Sequence, residues 1–256
     1  MKPLAVLVIA RNVFEEARHN RVLYIGLGFA LLLIVFSYFL GQVSLHQDVK
    51  VVKDLGMGTI SLMGVFVAIY LSVNTLFKEL QQRTVYTIIS KPIRRFEIVL
   101  GKFLGMALVL GATVVLMTFF LLILTSLLEF QIDIKILPAI VLIYFELLVV
   151  AGLGLVFSSF SSPFLSGFFT FGIFLIGRVS YELGQFGERS QSELFRFFAT
   201  GVQKIFDLES FNLRTEVVHG LPIYIEDFWG PILYAVSLMA VCLLVSAITF
   251  ERRDFK

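Results

Sequence analysis

The chain is short of charge. Asp, Glu, Lys and Arg make up 16% of its 256 residues, against about a quarter in ordinary soluble domains. Hydrophobic residues make up 58%, which excludes a soluble globular domain. The net charge of +2 is too small to point to a nucleic-acid partner. A single cysteine, Cys242, rules out an intramolecular disulfide, and its apolar surroundings read as simple packing. The three histidines, His19, His46 and His219, sit on different loops with no second His or Cys at ligand spacing, so no metal site is expected. No Ser or Thr in the apolar runs has an evident His partner, and no catalytic residue is assigned. The phosphate-binding G-x-x-x-x-G-K-[ST] is missing too: Gly101-Lys102 lacks both the upstream glycine and the following hydroxyl. With no motif to bind a cofactor, the chain needs another molecule for any energy it uses.

What is present is a set of long apolar runs. A spanning helix needs about 20 mostly apolar residues to cross ~30 Å of hydrocarbon. Six runs qualify: Val22–Leu40, Gly56–Phe77, Phe96–Leu128, Ile136–Phe157, Pro163–Leu183 and Trp229–Phe250. Pro3 to Ala10 is too short to span, and the charges that follow lack a cleavage pattern, so no removable signal is expected. With both termini in the cytoplasm, Lys2, Arg11, Arg18, Arg21, the basic residues between runs two and three, and Arg252, Arg253 and Lys256 all fall inside, as the positive-inside rule requires. Most acids, among them Asp133, Asp207, Glu209 and Glu226, then fall outside. The expected fold is an all-α integral membrane protein with six transmembrane helices, one domain over 1–256.

Three segments flank the spans. Leu4, Leu7, Phe14 and Ala17 recur at helical spacing, giving an amphipathic helix within 1–21 that would lie in the inner interface. The 184–228 segment is the longest outside loop; Leu194, Phe198, Val202 and Ile205 predict a helix resting on the outer membrane surface. Gly220, Pro222 and Trp229 turn the chain back. Between runs two and three, 78–95 places Leu80, Thr84 and Ile88 on one face, with Glu79, Gln82, Arg83 and Tyr86 off it. Pro92 disfavours helix at Lys91, so the helix breaks near Ser90, which can cap the next. Arg94, Arg95 and Lys102 line that next helix, and Gly101-x-x-x-Gly105 lets another helix approach closely. A docking surface for a cytoplasmic partner and a plain interface helix both fit this stretch.

The string Glu79…Arg83-Thr84…Ser90-Lys91-Pro92-Ile93-Arg94-Arg95…Leu100-Gly101-Lys102 closely resembles a segment of six-span ATP-binding-cassette exporter permeases, the class that includes polysaccharide, drug and nitrous-oxide-reductase-maturation permeases. Gly152 to Pro163 is similar to that class's inner turn between spans four and five, and the hydrophobic layout matches along nearly the whole chain. The resemblance implies a non-catalytic subunit of the bacterial inner membrane. A second permease chain would pair with it, and two P-loop ATPase subunits carrying ATP and Mg would dock beneath. It assigns ATPase coupling to Lys78, Glu79, Arg83, Thr84, Ser90, Lys91, Pro92, Arg94 and Arg95. An alternative keeps the fold but has it relay ATPase motion to an extracytoplasmic protein without transport.

Ionisable groups also lie at membrane depth, where each costs a few kcal/mol on insertion scales. Glu146 is midway along run four, Arg178 well along run five, and Glu182 one turn further. Counting rise along two antiparallel helices brings Glu146 and Arg178 within about a turn in depth. A Glu146–Arg178 pair is expected to stabilise the bundle. An Arg178–Glu182 pair, or a protonated Glu146 bonded to Tyr or Ser, is the alternative, and a role in substrate or proton handling stays open.

Overall fold

In hydrocarbon every backbone N–H and C=O must be satisfied within the chain, so runs of this composition fold as helices. The structure is a computed structural model describing residues 3–43, 48–82, 95–130, 133–189 and 193–252. Its described elements are helical: α1 (Pro3–Arg18), α2 (Arg21–Val43), α3 (Asp48–Gln82), α4 (Arg95–Glu129), α5 (Leu137–Phe160), α6 (Pro163–Arg178), α7 (Ser180–Arg189), α8 (Glu193–Ile205), α9 (Arg214–His219) and α10 (Ile225–Arg252), with 3-10 turns at Ile134–Ile136 and Glu209–Phe211. Five of them are long and apolar enough to cross a membrane; α6 and α7, bent by 59° at Val179, supply a sixth crossing if counted as one broken span. The chain is thus a multi-pass membrane protein.

The fifth run departs from expectation. Its apolar sequence runs on through Leu183, yet α6 ends at Arg178. Val179 N–H reaches the carbonyls of Leu175 and Ile176, both at 3.2 Å, and the buried Ser180 hydroxyl donates to Gly177 O at 2.8 Å. The side chain of Leu208 and the backbone of Phe206 press on Gly177, where any Cβ would come within 2.7 Å of Leu208.

Helix α5 is the pillar. Its residues from Leu147 to Leu155 are all buried, against α3, α4, α6 and α10. Small residues set the distances: Gly154 faces Ser72 of α3, Gly152 faces Cys242 of α10, and Gly64 of α3 faces Leu147.

Helix α1 packs differently from the expected interface helix. Val6, Ala10, Val13 and Ala17 form its buried stripe, whereas Leu7 is 65% exposed. Gly101 of α4 meets Val6 and Ile9, and Gly105 meets Ala10 and Val13. A step of four residues on one helix matches a step of four on the other, so α1 and α4 run side by side in the same direction. The joint to α2 is pinned: Asn20 accepts from Val22 N–H (3.0 Å) and donates to Tyr70 (2.8 Å), while the Tyr24 hydroxyl donates to Arg18 O (2.7 Å).

The long loop is also reshaped. Helix α8 leaves Leu194, Phe197, Phe198 and Ile205 exposed, but the next residues do not rest on a surface. Leu208, Phe211, Leu213 and Val217 are buried and join the main core. Gly220, with φ 66°, then ends α9 in the left-handed conformation that glycine adopts without strain.

A Cβ at Gly105 would meet Val13 Cβ at 2.6 Å and Ala10 O at 2.7 Å. Gly105→Ala is expected to cost about 1–3 kcal/mol by overpacking and to expose α1 to protease; unchanged melting and digestion would contradict the close packing. At the other end of the bundle Lys53 Nζ bonds Asp133 at 2.7 Å, with the Lys53 side chain 8% exposed. Partial burial works to raise the Asp133 pKa, but the bonds from Lys53 and Lys135 N–H outweigh it and hold the carboxyl below its usual range. The pair's stabilisation is therefore complete above the ordinary Asp value of about 3.9 and is lost as pH falls through the lowered one. Asp133→Asn should lower stability at neutral pH by about 1 kcal/mol and flatten this acid limb in a melting-temperature series.

Candidate functional site

The most charged part of the interior lies where α3, α5 and the α6 bend meet. Glu146 is fully buried on α5. Arg178, the last residue of α6, reaches it with Nε 3.1 Å from Oε1 and Nη2 3.4 Å from Oε2. The first contact is close but off-axis for a hydrogen bond, and the second is long for one. Ser61 of α3 closes the arrangement: its hydroxyl donates to Glu146 Oε2 at 3.0 Å and accepts from Arg178 Nη2 at 3.0 Å.

The network continues outward from the pair. Arg178 Nη1 meets Glu209 Oε2 at 3.4 Å, Asn212 donates to Glu209 Oε1 at 2.6 Å, and Arg214 Nε donates to Asn212 Oδ1 at 2.9 Å. The Arg214 guanidinium lies over Gly58, where a Cβ would be 2.7 Å from Nη1. Charges thus alternate along the network, Glu146, Arg178, Glu209, Arg214. Beside them Asp207 takes bonds from Ser180 and Ser210, yet burial pushes its pKa above the usual carboxylate range. Phe174 adds a face under Arg178, 6.0 Å from ring centre to guanidinium carbon, at the outer limit for cation–π attraction.

Glu182 does not share in this. It is exposed on α7 beyond the bend, and the helical register that would set it over Arg178 ends at Arg178 itself. Ser61, Glu209, Asn212 and Arg214 carry no sequence signal that singles them out. Gly58 was the nearest clue, an unexplained small residue one turn from Ser61.

Arg83, Thr84, Ser90, Lys91, Pro92 and Arg94 lie outside the described residues. Lys78 and Glu79 belong to the last turns of α3, and Arg95 begins α4. What is described are the stems. Lys102, 1% exposed rather than lining a surface, donates from Nζ to Thr75 O at 2.8 Å and so joins the start of α4 to the end of α3. Gly101 and Gly105 hold α1 against the same stretch. No group of three His, Cys, Asp or Glu residues suited to a metal occurs among the described residues.

A family model described as ABC-2 family transporter protein matches residues 7–255. The chain belongs to that family. It is accordingly a permease, a membrane subunit of an ATP-binding-cassette transporter whose ATPase resides in a partner. Comparison with curated proteins gives no match. In the permease the buried ionic network meets α3 near its middle, at Ser61, and the braced stems meet it toward its C-terminal end, at Thr75.

Removing one partner of a buried ion pair strands the other, which typically costs about 3–5 kcal/mol. Arg178→Ala should therefore destabilise the detergent-solubilised permease by that order, whereas Glu146→Leu with Arg178→Leu should recover most of the loss. A double-mutant cycle on thermal unfolding, built from Glu146→Leu, Arg178→Leu and the two together, checks this; a double-variant loss equal to the sum of the two single losses would mean the pair is not coupled.

Proposed function

We propose that this permease is the membrane half of an exporter: two such chains, or one with a related chain, pair in a bacterial inner membrane and receive two P-loop ATPase subunits on the end that carries α1. The basic residues near that end, together with the positive-inside rule, favour its cytoplasmic placement. Residues 78–95 form the coupling segment, and Lys78, Glu79 and Arg83 set partner choice by charge. Closure of the ATPases on ATP and Mg pushes this segment, and the bundle follows as a bistable unit.

The observation that carries the reading is the bracing of both stems. Lys102 ties α4 to the Thr75 carbonyl of α3, and α1 is clamped on Gly101 and Gly105. A push on 78–95 is thereby shared by two helices of 35 residues each, rods about 52 Å long. Helix α3 carries the push to Ser61 and Gly58 beneath the ionic network. A second reading, relay of ATPase motion to an extracytoplasmic protein without transport, is favoured by the exposed apolar face of α8.

Gentle purification of tagged permease from native membranes should retain a P-loop ATPase. Glu79→Arg combined with Arg83→Glu should lose it while the permease stays folded. Retention of the ATPase by the charge-reversed protein would remove 78–95 from the interface, and its absence from both samples would remove the exporter reading.

A further inference from the structure

A groove of about 130 Å³ opens on the flank of the bundle where α1 hands over to α2. Phe14 and Ala17 of α1, Leu23 and Leu27 of α2, and Ala112 and Leu116 of α4 form its apolar walls, with Arg18 and Tyr24 at one side. Its size approaches that of a roughly 150 Å³ apolar cavity that takes up benzene, so it suits a stretch of hydrocarbon chain.

Its depth follows from α4. That helix has 35 residues and ends at Glu129. Counting back about 20 residues, the length that crosses ~30 Å of hydrocarbon, reaches Val109, which lines the groove. The buried Glu97 and Lys102 lie before that point, as charged groups outside hydrocarbon should. The α1–α2 joint, with Arg18 and then Arg21, therefore stands at headgroup level, and Leu27 and Leu116 stand below it.

Charge narrows the occupant. Arg11 pairs with Glu15 at 2.9 Å, and Glu16 has contacts of its own. Arg18 makes no ion pair within 4 Å among the described residues, its charge being felt by the exposed Glu15 one turn back, which is itself bonded to Arg11; its carbonyl is held by Tyr24. Arg21 begins α2 three residues on and is exposed. We infer that the groove binds an anionic phospholipid of the leaflet on the α1 side, with its phosphate on the Arg18 guanidinium and an acyl chain between α2 and α4. Arginine recognises phosphate by paired charge-assisted donors, and two arginines near one groove favour a lipid with net negative charge over a zwitterion. The site requires no particular cargo and no ATPase.

The test uses full-length permease in detergent, given phosphatidylglycerol or phosphatidylcholine of matched chains, with retained lipid counted by native mass spectrometry and melting followed in parallel. Wild type should retain phosphatidylglycerol over phosphatidylcholine by about tenfold, because the choline cation of the latter cancels the phosphate charge facing Arg18 and Arg21, each worth about 1 kcal/mol toward an anionic headgroup, and melt higher with it. Arg18→Gln should lose the preference and the shift, and Arg18→Lys should keep part of both. Ala112→Leu, which fills the groove with a membrane-compatible side chain, should lose lipid while keeping the wild-type melt in phosphatidylcholine. Arg11→Gln, away from the groove, should behave as wild type. Equal retention of the two lipids by wild type, or undiminished phosphatidylglycerol on Arg18→Gln or Ala112→Leu, would overturn the site.

Discussion

A carboxylate with no exposed surface in a lipid-embedded bundle is tolerable only if a cation is brought to it, and Arg178 beside Glu146 meets that demand. The consequences spread from there. Glu146 stands on α5, the helix the others pack around, so whatever carries the cation must come to the centre. Arg178 does so as the last residue of a helix rather than from its middle, and its guanidinium turns outward as well as inward. Glu209, Asn212 and Arg214 then follow as the means by which 206–219 is drawn into the core. The apolar burial of Leu208, Phe211 and Leu213 completes what the charges orient.

Much of this architecture was legible in the sequence, for simple reasons. An apolar run of bilayer length has few alternatives to a helix, and rise per residue is constant, so the runs and the relative depths of Glu146 and Arg178 could be counted. The structure holds those two side chains 3.1 Å apart. Gly101 and Gly105 likewise announced a close helix contact, although not that α1 would be the neighbour. The coupling role expected of Arg83 to Arg94 rests on pattern and resemblance alone.

The unread parts share a cause: each depends on a partner distant in sequence. The bend at Val179 has no proline, and only Leu208 and Phe206 against Gly177 and the Ser180 hydroxyl make it intelligible. The expected stripe on α1 ran through Leu4, Leu7, Phe14 and Ala17; Ala17 is buried and Phe14 packs on the core, but Leu7 is exposed, and Val6, Ala10 and Val13, whose small size lets backbones approach across the two glycines, complete the buried face. The polarity of the 184–228 loop hid Glu209 and Arg214, since a charged residue in a loop ordinarily faces water. Ser61 is one of several hydroxyls in spans and acquires meaning only from Glu146.

The bend also has a bearing on the bilayer itself. Helix α6 has 16 residues, about 24 Å of rise, against ~30 Å of hydrocarbon. Beyond it the chain veers by 59°, carrying the exposed Val179, Tyr181 and Phe186 sideways. On this flank the upright helical wall is shorter than the hydrocarbon, and the tilted α7 must supply the remaining height. Lipid tails there meet a slanted segment in place of an upright helix. Helices α3 and α4, with 35 residues each, impose no such demand on their sides. The permease is therefore lopsided in its fit to lipid, and membrane thickness becomes a variable that bears on one flank of the bundle and spares the others.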